Sequence, residues 1–225
     1  MPGPRMAIAI DGPAASGKSS TAKAIARELG FRHVDSGALY RAATAARVRQ
    51  GGDAESWTEE SVLAAARMVT LVPTELGFTP LLDGETAEDE MRGEEVTRHV
   101  SLVARMPAMR EWVNAQVRKA AHEHDVVVDG RDIGTVVLPS ARPKIFLVAS
   151  PGERAKRRLL ERHAGAPSDG EIAEETGRIV LRDDMDAAQS VRAADAIVID
   201  TTHLAQAEQI ARIVALVRAG GWEVQ

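Results

Sequence analysis

The sequence contains no cysteine and few aromatic residues. The lack of cysteine excludes disulfides, thiol nucleophiles and zinc sites built on thiolates. Three Phe, three Trp and one Tyr leave little material for a surface that stacks the bases of single-stranded nucleic acid. The formal net charge of −5 gives no basic excess, so we expect neither a nucleic-acid polymer nor an anionic membrane as a partner.

Long hydrophobic runs are also missing. No stretch approaches the roughly 20 apolar residues that a membrane-spanning helix needs. The run before Asp11 is too short for the core of a signal peptide. The 225 residues are nevertheless 44% hydrophobic, which is enough to bury a substantial core in one domain. We therefore expect a single domain over residues 1–225 in a soluble, cytoplasmic protein.

Strand-like and helical segments alternate along the chain. Strands are predicted at 6–10, 32–37, 125–130, 144–150 and 196–200. The last three are continuous apolar runs, as in strands that helices cover on both faces. Helices are predicted at 18–30, 37–50, 58–68, 94–123, 151–163 and 204–219. This alternation predicts an α/β fold, a three-layer sandwich around a parallel sheet of five strands.

Turn and capping residues refine these boundaries. Gly30 suits the C-cap of the first helix, and Ser36 suits the N-cap of the next. Pro107 is expected to divide the helical pattern over 94–123, because the residue before a proline avoids the helical region. Over 68–91, prolines and glycines interrupt β-branched residues, which predicts a small antiparallel insert.

A phosphate-binding loop follows the first predicted strand. Residues 12–19 match G-x-x-x-x-G-K-[ST] in full, with a strand before them and a helix after. Backbone N–H groups of such a loop bind the α- and β-phosphates, Lys18 can reach the β- and γ-phosphates, and Ser19 can ligate Mg²⁺. We assign nucleotide binding to Gly12, Pro13, Ala14, Ala15, Ser16, Gly17, Lys18, Ser19 and Ser20.

The remaining sequence favours a small kinase over a GTPase-like switch. A switch needs D-x-x-G and N-K-x-D motifs, and neither occurs here. A small kinase needs arginines around the phosphates, because phosphoryl transfer depends on positioning and charge neutralisation. Arginines stand near predicted element ends at Arg41, Arg110, Arg131, Arg154, Arg157, Arg158 and Arg182.

Seven stretches extend the pattern over nearly the whole chain. They are IAIDGPAASGKSS, VDSGALYRA, DGRDIGTVVLP, KIFLVAS, ERAKRRLLER, LRDDMD and DAIVIDTT. Together they resemble the bacterial cytidylate kinases, nucleoside monophosphate kinases with an adenylate-kinase-like fold. The resemblance implies that the γ-phosphate of ATP is transferred to CMP or dCMP, with Mg²⁺ present, by a monomer.

The resemblance also implies three functional regions. The core would comprise about 6–35, 120–150 and 190–220. A monophosphate-binding part carrying the insert would span about 36–118, and a lid over ATP about 154–180.

On the acceptor side, the resemblance places Ser36 and Arg41 beside the acceptor phosphate, where a helix N-terminus and a guanidinium suit a dianion. It places Ser101 and Arg110 in the cytosine site. Nine residues apart, these two would lie on opposite faces of one ideal helix, so the proposal requires a break near Pro107. Capping by Ser36 and an exposed hydroxyl at Ser101 are the structural alternatives.

The stretch DGRD supplies three further candidates. By resemblance, Asp129 supports Mg²⁺ through water and Arg131 neutralises phosphate. Asp132 would read the base, because a carboxylate accepts from the exocyclic amino group of cytosine and opposes the carbonyl of uracil. The alternative for Asp132 is a surface acid paired with arginine.

The last candidates lie in ERAKRRLLER and LRDDMDAAQS. By resemblance, Arg158 contacts the transferring phosphate together with Lys18 and Arg131, and Arg154 lies nearer the adenine. Arg182 and Asp186 would hold the sugar hydroxyls. Gln189 stands where the family pattern has an arginine, which leaves the choice between CMP and dCMP open. Arg157 and Arg162 fit a solvated surface.

No side chain is required as a general base, because the second pKa of the acceptor phosphate lies near 6 and the phosphate is already a dianion. The six histidines have no metal-ligand spacing and are interpreted as surface residues. Two alternatives remain: another small P-loop kinase acting on UMP/CMP or AMP, and a nucleotide-binding regulator without turnover.

Overall fold

The structure is a computed structural model that describes residues 5–162 and 165–220. The ends of the predicted domain, the end of the helix at 151–163 and two residues of the predicted lid lie outside this part. The strands are β1 (Ala7–Asp11), β2 (Arg32–Asp35), β3 (Val69–Pro73), β4 (Phe78–Leu82), β5 (Glu85–Thr86), β6 (Val126–Gly130), β7 (Lys144–Val148) and β8 (Ile197–Asp200). The helices are α1 (Lys18–Leu29), α2 (Ser36–Arg49), α3 (Glu59–Ala66), α4 (Glu88–Arg92), α5 (Glu94–Arg105), α6 (Pro107–Glu123), α7 (Pro151–Arg162), α8 (Asp169–Asp186) and α9 (Gln206–Ala219).

Five strands form a parallel sheet in the order β2-β6-β1-β7-β8, which confirms the predicted fold class. The central strands are the most apolar. Val126, Val127 and Val128 of β6 are fully buried, as are Ile8 and Ile10 of β1. The apolar run of β6 is thus covered on both faces, as predicted. The same prediction is wrong for β8, an edge strand in which Ile197 and Val198 are 39% and 43% exposed.

Two hydrophobic clusters cover the two faces of the sheet. On one face, Ile25 of α1 and Ile213 of α9 pack with Ile8 and Ile10. On the other face, Leu39 of α2 and Val117 of α6 pack with Ala9 and Val128. The result is the expected three-layer sandwich.

Helix α1 shows how local sequence sets the first crossover. Its apolar residues at helical spacing face the core, and Gly30 ends the helix in the left-handed region at φ 71°. That C-cap prediction is confirmed. The predicted cap of α2 is wrong: Asp35 is the N-cap and accepts from the Ala38 N–H, while Ser36 is already in the helix. An aspartate at the end of a strand outcompetes the following serine, because its carboxylate reaches the free N–H of the first turn.

The predicted insert is a three-stranded antiparallel sheet in the order β3-β4-β5. Asp83 and Gly84 join β4 to β5 with positive φ angles of 55° and 83°, as a two-residue hairpin requires. The short helix α4 then follows, which the sequence did not predict. Pro107 divides α5 from α6 as predicted, and Met106 between them is extended.

Helices α7 and α8 pack against each other as a hairpin that follows β7. Within the described residues, no helix combines the length and hydropathy needed to cross a bilayer.

Candidate active site

Three acidic residues end neighbouring strands at one edge of the sheet. Asp11 ends β1, Asp35 ends β2, and Asp129 is the penultimate residue of β6. Crevices outside the carboxyl ends of parallel strands bind ligands in open α/β sheets, and the phosphate-binding loop leaves β1 at this edge. These strand ends form the centre of the candidate site.

The loop from Gly12 to Ser19 approaches neighbouring backbone closely. Gly12 has φ 149°, and a Cβ at this position would lie 2.2 Å from the Leu147 carbonyl oxygen of β7. Gly17 has φ 85° immediately before α1. Glycine at both positions lets the backbone curl around the space in front of the helix N-terminus.

Lys18 is buried, and its ammonium donates to the Pro13 carbonyl at 2.6 Å. Burial, followed by the positive charge of Arg131, lowers the pKa of Lys18 well below its usual range. The proximity of two cations in a desolvated pocket favours an anionic ligand between them.

Ser19 and Asp129 bring two hard oxygen ligands together at the end of the loop. The Ser19 hydroxyl donates to Asp129 Oδ2 at 2.6 Å, and His33 Nε2 lies 2.6 Å from Oδ1. Burial lowers the pKa of His33, but the hydrogen bond and charge of Asp129 outweigh it, so the pKa is raised overall.

Asp11 holds the loop that follows β6. Its two carboxylate oxygens accept from the backbone N–H groups of Ile133 and Gly134, each at 2.8 Å. Burial raises the pKa of Asp11 to about 6, although these two hydrogen bonds oppose the shift. Asp11 thereby fixes the backbone that carries Arg131 and Asp132.

Asp132 forms a buried ion pair with Arg110 of α6. Burial raises the pKa of Asp132, and the charge of Arg110 opposes the rise. The helix break before Pro107 allows Arg110 to reach this loop. Ser101 of α5 is also buried, and within residues 5–162 and 165–220 no hydrogen bond joins its hydroxyl to either partner.

The start of α2 lies directly beside the end of β6. The Ser36 hydroxyl donates to the Asp129 carbonyl at 2.8 Å, and a Cβ on Gly130 would lie 2.6 Å from that hydroxyl oxygen. Arg41, further along α2, donates to the Met91 carbonyl at 3.1 Å and to the Thr97 hydroxyl at 3.2 Å.

Four arginines, Arg41, Arg131, Arg158 and Arg182, lie close enough together for their charges to interact. Asp186 of α8 lies 3.4 Å from Arg131 and 3.7 Å from Arg182. Burial, followed by the positive charges of Arg131 and Arg41, lowers the pKa of Arg182 to about 10, and Arg158 adds to the effect. Such a cluster of cations matches a polyanionic ligand.

The α7–α8 hairpin supplies Arg154 and Arg158. Arg154 is almost fully buried; it donates to the Ala14 carbonyl at 3.0 Å and pairs with Asp183 at 2.7 Å. Arg158 pairs with Glu175. Arg157 is not simply solvated, because its guanidinium donates to the carbonyl and the hydroxyl of Thr201 after β8.

A sequence profile described as cytidylate kinase matches residues 8–219. The chain belongs to the cytidylate kinase family. Curated relatives include the cytidylate kinase of Geobacillus kaustophilus (strain HTA426), 45% identical over 220 residues, with 95% of this chain and 96% of the relative covered. Another is that of Limosilactobacillus fermentum (strain NBRC 3956 / LMG 18251), 42% identical over 201 residues, with 88% of each chain covered.

Sequence reasoning missed two residues of this kinase site. Asp11 is not among the predicted site residues, although a carboxylate at the end of a short apolar strand is a sequence signal for a site at the strand end. His33 was interpreted as a surface residue, which is wrong, because its ring is only 14% exposed. In the sheet register His33 lies opposite Val127 and Asp35 opposite Asp129, so His33 is a diagonal neighbour of Asp129. The contact between His33 and Asp129 cannot be predicted from the sequence, because it depends on β2 and β6 being neighbours in the sheet.

Two further residues singled out in the sequence, Ser20 and Gln189, lie in local turns or helix ends. The Ser20 hydroxyl donates to the Gly17 carbonyl at 3.1 Å. Gln189 lies in a single 3₁₀ turn, Ala187–Gln189, directly after α8.

The donor set at Ser19 and Asp129 fits Mg²⁺. Among the described residues, no group of three or more acidic or histidine side chains could hold a metal alone. Mg²⁺ in nucleotide sites is usually bound by one or two protein oxygens together with substrate phosphates and water, and the hydroxyl–carboxylate pair offers such oxygens.

Proposed function

We propose that this kinase transfers the γ-phosphoryl group of ATP to CMP or dCMP, yielding ADP and the diphosphate. Family membership and the names of the curated relatives support the reaction. One structural observation supports the acceptor: the largely buried Arg110–Asp132 pair adjoins Arg131, whose charge acts on Lys18 of the phosphate-binding loop. In the proposed function, base recognition by this pair would take place next to phosphate binding by Arg131.

The donor nucleotide would bind at the loop from Gly12 to Ser20. Backbone N–H groups and Lys18 would bind its phosphates. Arg154, which donates to the Ala14 carbonyl of the loop, would lie nearer the adenine. Ser19 would hold Mg²⁺ directly and Asp129 would hold it through water, with the metal supplying charge neutralisation at the donor phosphates.

The acceptor base would be read by Asp132, Arg110 and Ser101. Asp132 accepts from the exocyclic amino group of cytosine, and the Arg110 guanidinium can donate to a ring acceptor. Burial raises the pKa of Asp132, and the charge and hydrogen bond of Arg110 oppose that rise and so favour the carboxylate form that accepts from the base. Uracil presents a carbonyl at the same place and is disfavoured.

The acceptor phosphate would lie between Ser36, Arg41 and Arg131, and Arg182 and Asp186 would bind the sugar hydroxyls. Asp186 already joins Arg131 to Arg182 in the structure, so sugar and phosphate contacts form one connected set. At Gln189 an amide replaces a cation, so any contact to a hydroxyl there lacks charge assistance.

The chemical step would need positioning and charge, without a protein base. A phosphate oxygen of the CMP dianion attacks the γ-phosphorus, the bond to the β–γ bridging oxygen breaks, and ADP leaves. Lys18, Arg131 and Arg158 would neutralise the charge that spreads over the transferring group. Closure of the lid around the site would exclude water and so limit hydrolysis of ATP.

The organisation proposed with this function is a single kinase domain. Its core would be about 6–35, 120–150 and 190–220, its acceptor part about 36–118 and its lid about 154–180. We further propose that the enzyme is cytoplasmic and monomeric.

The first experiment measures ADP release from Mg-ATP with CMP, dCMP, UMP, AMP, GMP or no acceptor. Rapid turnover with CMP and dCMP, and little with UMP, is expected because cytosine has an amino group that donates to Asp132 and uracil has a carbonyl instead. Preference for another monophosphate would leave the assignment as a nucleoside monophosphate kinase intact but would overturn the roles proposed for Ser101, Arg110 and Asp132. ATP binding without acceptor-dependent turnover would instead indicate a regulator.

A further inference from the structure

Glu175 is a buried acid in the α7–α8 hairpin with no role in the site described above. It is 3% exposed, although it lies in a helix whose neighbouring acid Glu174 is 67% exposed. A buried carboxylate is unfavourable unless it is paired, so its position needs a physical explanation.

The partners of Glu175 are three guanidinium groups. Its carboxylate lies 3.2 Å from Arg158, 3.5 Å from Arg178 and 3.9 Å from Arg162. Arg178 also pairs with Glu174 at 2.7 Å and is mostly exposed, so it has an alternative counter-ion. Within residues 5–162 and 165–220, no other carboxylate lies within 4 Å of Arg158.

The contact between Arg158 and Glu175 is a buried charge pair and not a hydrogen bond. Arg158 Nε lies 3.2 Å from Glu175 Oε1, and this oxygen has no hydrogen-bond partner within the described residues. In the same part of the chain, the guanidinium of Arg158 makes no hydrogen bond to protein, so its nitrogens are available to a ligand. After burial, the charge of Arg158 is also among those that lower the pKa of Arg41 and Arg182, so Arg158 lies near these two arginines.

We propose that Glu175 is a positioning residue for phosphoryl transfer: its buried carboxylate restrains the Arg158 guanidinium as a counter-ion and leaves the guanidinium N–H groups for the transferring phosphate. The inference rests on the proposed function, because it needs Arg158 to contact that phosphate. An arginine restrained by a buried counter-ion loses less side-chain freedom when it binds, so Glu175 should act on the chemical step more than on substrate affinity.

The test measures kcat and KM for ATP and CMP in the full-length enzyme and in Glu175→Gln, Arg158→Gln and the double variant. Glu174→Gln is the matched control, since it removes a neighbouring charge whose one ion pair within the described residues is with Arg178. We expect Glu175→Gln to lower kcat about tenfold with little change in either KM. We expect the double variant to match Arg158→Gln within about twofold, because Glu175 acts through Arg158.

Thermal unfolding of each variant separates positioning from loss of fold. If Glu175→Gln does not fold, Glu175→Asp replaces it, because the shorter side chain keeps the buried negative charge and moves it away from Arg158. An unchanged kcat, a rise in KM alone, or losses that multiply in the double variant would each overturn the inference. A wild-type enzyme without CMP-dependent turnover would overturn the proposed function and this inference with it.

Discussion

At the residue scale, opposite charges at the site are arranged in pairs that differ in burial and in role. Asp132 is paired with Arg110 and can still accept from a base, whereas Asp11 accepts two backbone N–H groups and has no direct access to a substrate role. Identical side chains would thus serve base recognition in the proposed role of Asp132 and loop positioning in Asp11.

Replacing Asp132 with Asn tests base recognition. The amide offers a donor to the uracil carbonyl and removes the anion opposite the cytosine amino group, so the ratio of kcat/KM for CMP to that for UMP should fall by about tenfold or more. Steady-state kinetics with both acceptors measures the ratio. Asp195→Asn removes an exposed acid that pairs with Lys144 and should leave the ratio unchanged. An unchanged ratio in Asp132→Asn would contradict the assignment.

The buried Asp11 predicts a pH dependence of stability. Its pKa is raised to about 6 from 3.8, so the folded chain binds a proton in a pH range where the unfolded chain does not. Its stabilising contribution is therefore complete below pH 3.8 and is lost as the pH rises through 6. The difference in free energy of unfolding, wild type minus Asp11→Asn, should therefore increase by about 1 kcal/mol when the pH is lowered from 7 to 5. Urea unfolding at both pH values measures it, and a difference that decreases on acidification would refute the prediction.

At the scale of elements, loops between strands and helices make the site, and the helices fix their ends. The phosphate-binding loop lies against β7, the loop after β6 is held by β1, and Arg110 reaches that loop because α5 and α6 are separate helices. Pro107 thus affects function through the direction of α6.

The closeness of the loop to β7 can be tested with two glycine variants. Gly12→Ala places a Cβ 2.2 Å from the Leu147 carbonyl oxygen, whereas at Gly17 the nearest atom is 4.0 Å away and only the positive φ opposes a side chain. Chemical denaturation should show a loss of about 1 kcal/mol for Gly17→Ala, the usual cost of the left-handed conformation, and a clearly larger loss for Gly12→Ala. Equal losses would show that the contact with β7 is relieved without cost.

At the scale of the whole molecule, one parallel sheet separates two functions of its flanking layers. The helices α1 and α9 form a hydrophobic layer that supports the phosphate-binding loop, while α2, α5, α6 and the antiparallel insert lie on the other side, where we propose that the acceptor binds. The α7–α8 hairpin adds further charged side chains, including Arg154, at the same edge of the sheet. The site therefore requires all three regions, although each is specified by a different part of the sequence.

The sequence by itself determined the strands of the parallel sheet, the antiparallel insert, the phosphate-binding loop and the family, because periodicity, glycine positions and motifs are local properties of the chain. It did not predict the helices α4 and α8. It did not determine the partners of Asp11, His33 or Glu175, nor the N-cap at Asp35. Those depend on which strands become neighbours and on which face of α8 meets α7, and only the packed chain brings residues more than ninety positions apart, such as His33 and Asp129, within 2.6 Å. Burial and the pKa shifts follow from that packing, because desolvation is a property of the surroundings and not of the residue.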